Sequence, residues 1–183
     1  YSSIAQAGYI MMDIVTGDAM GLQGILIYSF VYVAMNIGAF ALAVALAADR
    51  SDAADPYDLD SFDGLSSRSL PAALAMTLFL LSLAGIPPLA GFIGKFYLIG
   101  SAVGTAHYGL AVVAVLNSVV SVYYYMSICY RMFFTAPRKG ARALQFGSCV
   151  YATAALALAV TLFFGVFPHR LAVWAQLSAK FLP

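Results

Sequence analysis

Long runs of apolar residues constrain this chain more than any other feature of its sequence. Five runs occur, at residues 4–16, 22–48, 71–103, 108–133 and 147–167. A membrane-spanning helix needs about 20 consecutive apolar residues, and every run except the first reaches that length. The pattern therefore predicts an all-α integral membrane protein with five transmembrane helices, and we treat residues 1–183 as a single membrane domain.

The composition supports a bilayer as the surroundings of the chain. Apolar residues make up 63% of the sequence and charged residues 9%. A soluble domain carries about a quarter charged residues, so its surface could not be covered from this supply. A very apolar soluble bundle is the alternative, but it would show apolar stripes rather than long runs. The net charge of +1 excludes a nucleic-acid partner as far as bulk electrostatics can.

The two cysteines, Cys129 and Cys149, show no metal-binding pattern and no disulfide framework. They form no Cys-x-x-Cys motif, and no histidine lies near them in the sequence. We interpret both as small apolar fillers. We expect no metal site in this chain.

The hydrophilic connections predict the orientation of the chain. Residues 49–69 hold six of the eight aspartates and suit a surface loop with a short helical turn. With five spans, this loop, the chain start and the 131–146 loop share one side and carry six of the nine basic residues. Lys and Arg concentrate on the cytoplasmic side of membrane proteins. We therefore expect these loops to face the cytoplasm or mitochondrial matrix, and residues 169–183 to face the opposite compartment, along the interface.

The chain begins at Tyr1, apparently inside a helix, with no methionine and no targeting sequence. We expect one of three origins, which the sequence leaves open. The start was removed, the gene is split, or the sequence is a fragment.

The third run, residues 71–103, is too long for one straight span and contains a helix-breaking segment at 85–91. That segment reads Gly-Ile-Pro-Pro-Leu-Ala-Gly. Its two prolines lack amide donors and clash with the preceding turn, and its glycines let the backbone leave the helix. The carbonyls so freed must be satisfied by protein or by a wet cavity. We therefore predict that the third helix is discontinuous between Gly85 and Gly91, as at many ion sites.

Lys95 follows the predicted break by four residues and lies well inside the apolar run. Removal from bulk water disfavours the charged form of an amine, so such a lysine can exchange a proton near neutral pH. The alternative is a lysine whose ammonium reaches the lipid headgroups. Lys95 lies about 12 Å of helix rise from the end of the run, and its side chain covers about half of that distance. We therefore predict that Lys95 carries protons.

Polar side chains at helical spacing form stripes on three other predicted helices. Such stripes ordinarily join helices to one another. Beside a buried lysine they also suit a hydrated proton path, and both interpretations stay open. Asp13 also suits a place near the exit of a short helix, next to Asp18. The stripes are Gln6, Tyr9 and Asp13; Tyr28, Tyr32 and Asn36; and Asn117, Ser121 and Tyr125, with Ser118 and Tyr124 beside them.

Four segments carry a resemblance to the antiporter-like subunits of NADH–quinone oxidoreductase, respiratory complex I. Residues 82–97, which include the predicted break and Lys95, resemble the discontinuous helix of these subunits. Residues 1–9 resemble the helix two spans earlier, and residues 32–40 resemble the helix between. Leu116-Asn117-Ser118, followed by Tyr123-Tyr124-Tyr125, resembles the next helix. The motifs occur in order and cover nearly the whole chain.

Within that family, Gly94-Lys95-Phe96-Tyr97 is most similar to the subunit N group, subunit 2 in mitochondria. The subunit M type has glutamate in place of the lysine, and the subunit L type adds a long lateral helix. Members of the subunit N group often have histidine where this chain has Gln6. The departure argues against a proton-carrying role for Gln6.

The resemblance implies a fold of two inverted five-helix repeats, of which this chain holds the C-terminal part. The missing half, which carries a glutamate–lysine pair and a central lysine, is expected on another chain or segment. The lack of any glutamate here agrees with that. Lys95 matches the lysine of the exit half-channel. The polar path that we expect to support it consists of Tyr9, Asp13, Tyr32, Asn36, Asn117, Ser121 and Tyr124.

The resemblance further implies proton translocation coupled to quinone reduction in the mitochondrial inner membrane or the bacterial cytoplasmic membrane. Partners are expected to be the other membrane subunits of complex I. Flavin, iron–sulfur clusters and quinone are expected in partner subunits and none in this chain. Two alternatives remain. One is a subunit of a related cation/proton antiporter or membrane-bound hydrogenase, and the other is a structural subunit with a non-conducting channel.

Overall fold

The computed structural model describes residues 2–48, 58–137, 143–144 and 146–179 of the chain. Every regular element in these residues is a helix, so the all-α prediction is confirmed. A short 3-10 helix at Leu59–Phe62 lies between the second and third α-helices. The α-helices are α1 (Ser2–Thr16), α2 (Ala19–Ala48), α3 (Leu65–Arg68), α4 (Leu70–Ala84), α5 (Ala90–Gly104), α6 (Tyr108–Phe134), α7 (Ser148–Val166) and α8 (Pro168–Ala179).

Three helices are long and apolar enough to cross a bilayer. They are α2, α6 and α7, with 30, 27 and 19 residues. Helices α4 and α5 are apolar but shorter, with 15 residues each. The chain therefore has the helix content of a multi-pass membrane protein.

Helix α2 lies at the centre of the bundle and packs against α1, α4, α5, α7 and α8. Glycine allows its closest approach to α4. A Cβ atom at Gly38 would lie 2.2 Å from Cζ of Phe79, whose side chain is completely buried. Small residues at helix interfaces let backbones approach closely inside a membrane. The apolar core therefore forms around α2.

Two connections meet at one end of the bundle. The amide of Gly64 donates to the carbonyl of Arg131 at 3.1 Å, and the amide of Leu144 donates to the carbonyl of Arg68 at 3.1 Å. Nη1 of Arg131 also lies 2.7 Å from Oδ1 of Asp60. The 49–69 and 131–146 loops, as far as the structure describes them, thus share one end. The rest of these loops, including Arg50, the Asp55–Tyr57 turn and residues 138–142, lies outside the described residues.

The C-terminal residues form α8, which folds back on α7 and α2. Pro168 begins α8 directly after α7. Proline suits this position because the first turn of a helix does not use the amide hydrogen that proline lacks. The ring of Trp174 lies edge-on to Phe164 at 5.7 Å, and Leu171 is buried. Residues 168–179, predicted only as a tail along the interface, are thus a helix packed on the bundle.

Helices α1 and α5 run in the same direction, side by side. The amine of Lys95 lies 4.9 Å from the centre of the Tyr9 ring. Further along both helices, the hydroxyls of Thr16 and Ser101 are 2.7 Å apart. An advance of seven residues on α1 therefore matches one of six on α5. This parallel register places polar side chains of the two helices opposite each other.

Candidate functional site

Helix α4 ends at a glycine that takes the backbone out of the helix. Gly85 has φ +90°, a left-handed conformation that glycine adopts without strain. Its amide donates to the carbonyls of Leu81 and Ser82 at 3.1 and 3.0 Å, and the amide of Ile86 also donates to Leu81. This is a Schellman-type helix end. It leaves the carbonyls of the last residues of α4 to find other donors.

Helix α5 begins directly against the end of α4. A Cβ atom at Gly91 would lie 1.9 Å from the carbonyl oxygen of Ser82, so no side chain fits there. The amide of Gly91 donates to Oγ of Ser82 at 3.1 Å. Two prolines lie between the helices, where they need supply no amide hydrogen. The residues that sequence analysis identified as helix-breaking thus connect two helices in close contact.

Lys95 turns back from α5 to the end of α4. Its amine donates to the carbonyls of Leu83 and Ala84 at 2.9 and 3.0 Å, and to Oγ of Ser118 on α6 at 3.3 Å. Lys95 is only 4% exposed. The amine is therefore bonded inside the bundle, an arrangement that favours a buried lysine over one that reaches the headgroups. A cation at a helix C-terminus also interacts favourably with the helix dipole.

The amine of Lys95 lies where four elements meet. Tyr9 of α1 offers the face of its ring, an arrangement that attracts a cation. Oγ of Ser118 both accepts from Lys95 and donates to the carbonyl of Ala84 at 3.1 Å. A groove of about 490 Å³ between α5 and α6 reaches Lys95, Gly85 and Ser118. The site thus combines a buried amine with several oxygen atoms, and the groove connects it to the outside of the bundle.

Gln6 lies at the centre of a second polar network, which shares the carbonyl oxygen of Leu83 with the network around Lys95. Its Nε2 donates to the carbonyl of Leu83 and to the hydroxyl of Tyr125, both at 3.4 Å. The hydroxyl of Tyr28 donates to Oε1 of Gln6. Gln6 is completely buried. Its contact with Leu83 makes it part of the surroundings of Lys95, although sequence analysis discounted this position.

Of the predicted polar path, Tyr9 and Ser121 satisfy carbonyls of α6. The hydroxyl of Tyr9 donates to Ala114 at 3.1 Å, and Oγ of Ser121 donates to Ser118 at 2.6 Å. Both side chains are buried. Tyr9 also touches Lys95 through its ring, whereas Ser121 reaches it only through Ser118. The bond of Tyr9 joins α1 to α6, as polar side chains between membrane helices commonly do, whereas the bond of Ser121 lies within α6.

Four other predicted residues do not line the groove beside Lys95. Tyr32 stacks on Tyr28, with ring centres 6.2 Å apart. The hydroxyl of Tyr124 is buried and has no hydrogen-bond partner among the described residues. Asn36 and Asn117 are half-buried and line two separate grooves. In the described part of the chain, none of these four side chains forms a hydrogen bond with Lys95.

Asp13, the last member of the predicted path, is 2% exposed. Neither of its carboxyl oxygens accepts a hydrogen bond of normal geometry from a described residue, although the hydroxyl of Ser101 lies near enough to interact with the carboxyl. Nearby, Oδ1 of Asp18 accepts from Oγ of Ser101 at 2.6 Å and from the amide of Gly21 at 2.8 Å. The hydroxyl of Thr16 contacts both the Asp18 carboxylate and the Ser101 hydroxyl. Asp13 is thus a buried carboxyl beside a hydroxyl cluster at the α1–α2 turn.

The sequence of the chain has relatives among membrane subunits of respiratory enzymes. Residues 1–121 match the family model described as "NADH:quinone oxidoreductase/Mrp antiporter, TM". An NADH-quinone oxidoreductase subunit N of Desulforamulus reducens is 39% identical over 180 residues, covering 98% of this chain and 37% of that protein. The subunit N of Heliobacterium modesticaldum is 40% identical over 182 residues, covering 100% and 38%. The chain thus spans less than two fifths of the length of these curated relatives.

Solved structures of similar fold come from two kinds of complex. A chain of respiratory complex I from Thermus thermophilus with bound aureothin superposes with a TM-score of 0.72 at 31% identity, covering 94% of this chain and 38% of that one. A chain of the Mrp complex from Dietzia sp. superposes with a TM-score of 0.78 at 20% identity, covering 97% and 40%. At the second identity, the likeness shows the fold alone.

Proposed function

The chain belongs to the family of transmembrane subunits found in NADH:quinone oxidoreductases and Mrp antiporters, and from this membership we propose that it translocates protons in complex I. Its identity to subunit N proteins, over nearly its full length, supports the C-terminal part of that subunit. It acts there as a membrane part of an enzyme whose flavin, iron–sulfur clusters and quinone belong to partner subunits. A further chain or segment supplies the N-terminal half. The host membrane is the bacterial cytoplasmic membrane or the mitochondrial inner membrane.

The proposal includes five membrane spans, the third of them discontinuous. Helices α4 and α5 are each about 22 Å long and fall short of a hydrocarbon core of about 30 Å. They form one broken span, joined at residues 85–89. Helix α1 is also short, and its exposed apolar side chains, such as Ile4 and Met11, suit contact with lipid or with the rest of the subunit.

The charged connections support an orientation. The described parts of the 49–69 and 131–146 loops share one end, and Arg68 and Arg131 lie there. By the distribution of basic residues, this end faces the cytoplasm or matrix. The α1–α2 turn and the α5–α6 turn then face the opposite compartment.

Lys95 is the proton-carrying residue of this proposal. The observation that carries it is the buried amine bonded to the carbonyls of Leu83 and Ala84, at the junction of the two half-helices. These carbonyls stabilise an ammonium, whereas burial away from water opposes it. Such opposed influences allow a lysine to bind and release a proton. The oxygen atoms hold the amine in place, and the groove beside it admits protons.

The fold also suits a subunit of a cation/proton antiporter, because a chain of the Mrp complex superposes well on this one. Sequence identity favours complex I. Co-purification of the native subunit separates the two functions. Flavin and iron–sulfur subunits in the purified complex support complex I, and their absence supports the antiporter.

We expect Lys95→Met to leave assembly largely intact and to reduce proton pumping roughly tenfold or more. A positioned acid–base group usually contributes more than a factor of about ten, so this is a conservative expectation. Lys95→Arg should fail too, because guanidinium keeps its charge but does not release its proton. Pumping is measured in membrane vesicles and divided by the amount of assembled complex.

The control is Arg170→Met, which removes a positive charge at an exposed position of α8. It should pump like the unmodified complex. If Lys95→Met also pumps normally, Lys95 is a structural residue and the channel is non-conducting or runs elsewhere. If Lys95→Arg pumps normally, the charge matters and proton exchange does not.

A further inference from the structure

We propose that Asp13 is a second proton-binding site, which takes the proton that Lys95 releases and passes it to the α1–α2 turn. This inference rests on the proposed function, since Lys95 supplies the proton. It assigns a direction to proton movement within this chain, from the α4–α5 junction along α1. In the proposed orientation, the turn faces the compartment opposite the cytoplasm or matrix.

The burial of the Asp13 carboxyl without partners is the first support. Its two oxygens accept no hydrogen bond of normal geometry from the described residues, and the residue is 2% exposed. An ionised carboxylate in such a place loses most of its hydration, and no described cation forms an ion pair with it. A neutral carboxylic acid avoids most of the cost of that lost hydration. Asp13 therefore holds a proton at rest.

Close packing encloses the Asp13 carboxyl on the side of α2 and α5. A Cβ atom at Gly24 would lie 2.7 Å from Oδ2 of Asp13 and 3.0 Å from Cδ2 of Leu98. The Leu98 side chain is completely buried. Glycine at position 24 thus makes the space that the carboxyl occupies. The carboxyl lies in a pocket shaped by α2 and α5.

Because α1 and α5 run in parallel, Asp13 is the next titratable side chain after Lys95 in the direction of the α1–α2 turn. The ring of Tyr9 covers the Lys95 amine, and Asp13 follows one helical turn later on the same face of α1. Leu98, one turn past Lys95 on α5, lies at the level of Asp13. The two titratable groups therefore occupy successive levels of one helix pair, along the direction of the α1–α2 turn.

A cluster of oxygen atoms continues from Asp13 to that turn. The hydroxyl of Thr16 donates to the backbone carbonyl of Asp13 at 3.0 Å and lies 2.7 Å from Oγ of Ser101. A Cβ atom at Gly21 would lie 2.8 to 2.9 Å from oxygens of Asp18, Ser101 and Thr16, so this glycine makes room for all three. Hydroxyl groups both donate and accept, as proton transfer along a chain requires.

Asp18 ends this cluster as a fixed negative charge. Its side chain caps the N-terminus of α2 through the amide of Gly21, where a carboxylate is favoured. It is only partly buried, so water reaches it. A carboxylate at this place attracts a proton that leaves Asp13. It also marks the opening of the path.

The titratable groups around Asp13 are few in the described part of the chain. Its own helix contributes Tyr9, α2 contributes Tyr28, α5 contributes Lys95, and the turn contributes Asp18. Helix α6 presents alanines, Ala111 and Ala114, to this level of the bundle. Lys95 is the only lysine among the described residues and lies about one helical turn before the level of Asp13, so we take it as the source of the proton.

The transfer is balanced in protons and charge. Asp13 first releases its proton to water at the turn and becomes a carboxylate. The ammonium of Lys95 then gives one proton to water between the two levels, and this water protonates the Asp13 carboxylate, because no described contact joins the two side chains directly. Lys95 is left as a neutral amine and takes its next proton from the groove side. The unpaired carboxylate state is costly, and that cost draws the proton away from Lys95.

Infrared difference spectroscopy on the purified, assembled complex tests the inference. The unmodified complex should show the carbonyl stretch of a protonated carboxylic acid that Asp13→Asn lacks. Asp58→Asn, the same change at an exposed aspartate, should retain it. Proton pumping of Asp13→Asn should fall roughly tenfold or more, and Asp13→Glu should restore part of it. If Asp13→Asn does not assemble, the shifted band of Asp13→Glu gives the same answer.

Three outcomes contradict the inference. Asp13→Asn can lose no protonated-carboxyl band, or it can pump like the unmodified complex. The carboxylate can also pair with a metal cation, in which case pumping depends on added sodium. The proposed function survives all three as long as Lys95→Met fails to pump. Conversely, normal pumping by Lys95→Met removes the proposed function, whatever the spectrum of Asp13 shows.

Discussion

Lys95 and Asp13 are both buried, but they differ in their hydrogen-bond partners. The Lys95 amine has three oxygen partners, whereas the Asp13 carboxyl has no hydrogen-bond donor among the described residues. A change at Lys95 therefore alters the junction of α4 and α5 together with any proton transfer. A change at Asp13 alters proton binding and little else. Burial alone therefore does not tell how a proton is held. The oxygens around Lys95 favour its charged form, whereas the lack of hydrogen-bond donors at Asp13 favours the neutral acid.

The largest effect should come from Gly91→Ala, which removes the scaffold of Lys95 and spares Asp13. Its Cβ atom would lie 1.9 Å from a backbone oxygen of Ser82, which cannot move aside as a side chain can. Overpacking ordinarily costs about 1–3 kcal/mol, and this contact lies at or above the upper end. We expect the subunit to be lost from the assembled complex, measured on native gels.

Gly109→Ala is the matched control for this change. The added Cβ atom meets nothing within 4 Å, so assembly should be normal. Normal assembly of Gly91→Ala would show that α5 does not start against the end of α4. The contrast between Lys95 and Asp13 would then lose its structural basis.

An intermediate effect is expected for Gly24→Ala, which disturbs Asp13 and spares the oxygens around Lys95. The nearest atom to the added Cβ is the Asp13 carboxyl oxygen, which can move, but the backbone nitrogen of Leu98 at 3.3 Å cannot. We expect a cost of about 1 kcal/mol, at the low end for overpacking. The complex should assemble, but its pumping and the protonated-carboxyl band should both decrease.

Gly8→Ala serves as the control on α1, since its Cβ atom would meet nothing within 4 Å. It should change neither pumping nor the spectrum. If Gly24→Ala leaves the band unchanged, the pocket does not hold the carboxyl as described.

The smallest effect should follow Ser118→Ala, which removes one of the three oxygens around Lys95. The carbonyls of Leu83 and Ala84 remain bonded to the amine, so only about 1 kcal/mol of net hydrogen bonding is lost. A loss of that size corresponds to roughly a fivefold decrease in pumping at most.

Ser127→Ala is the control on the same helix. Its hydroxyl donates to the carbonyl of Tyr124 at an exposed site, and its loss should have no effect on pumping. A decrease after Ser118→Ala as large as that of Lys95→Met would mean that the hydroxyl takes part in proton transfer itself.

The sequence was sufficient for the all-α membrane class and for the family. Uninterrupted apolar runs leave few alternatives to membrane helices, and the Gly-Pro-Pro segment before Lys95 is distinctive. The role of Lys95 stays a prediction. Its bonds to Leu83 and Ala84 could not be predicted, because they depend on α5 starting beside the last turn of α4.

Gln6 and Asp13 were both noted in the sequence, but their surroundings could not be predicted from it. Both belong to a polar stripe that indicated a buried face, but spacing on one helix does not reveal what lies opposite. Tyr28 makes Gln6 part of a network, and Gly24 makes room for Asp13. Both contacts depend on how α2 packs on α1, which a local pattern does not contain.

The three oxygens around Lys95 have a consequence for mechanics. An ammonium carries three hydrogens, one for each of Leu83, Ala84 and Ser118, whereas a neutral amine carries two. In the proposed function, each proton that leaves Lys95 therefore leaves one of these oxygens without its donor. We expect the contacts that join α4, α5 and α6 at Lys95 to weaken until the next proton arrives.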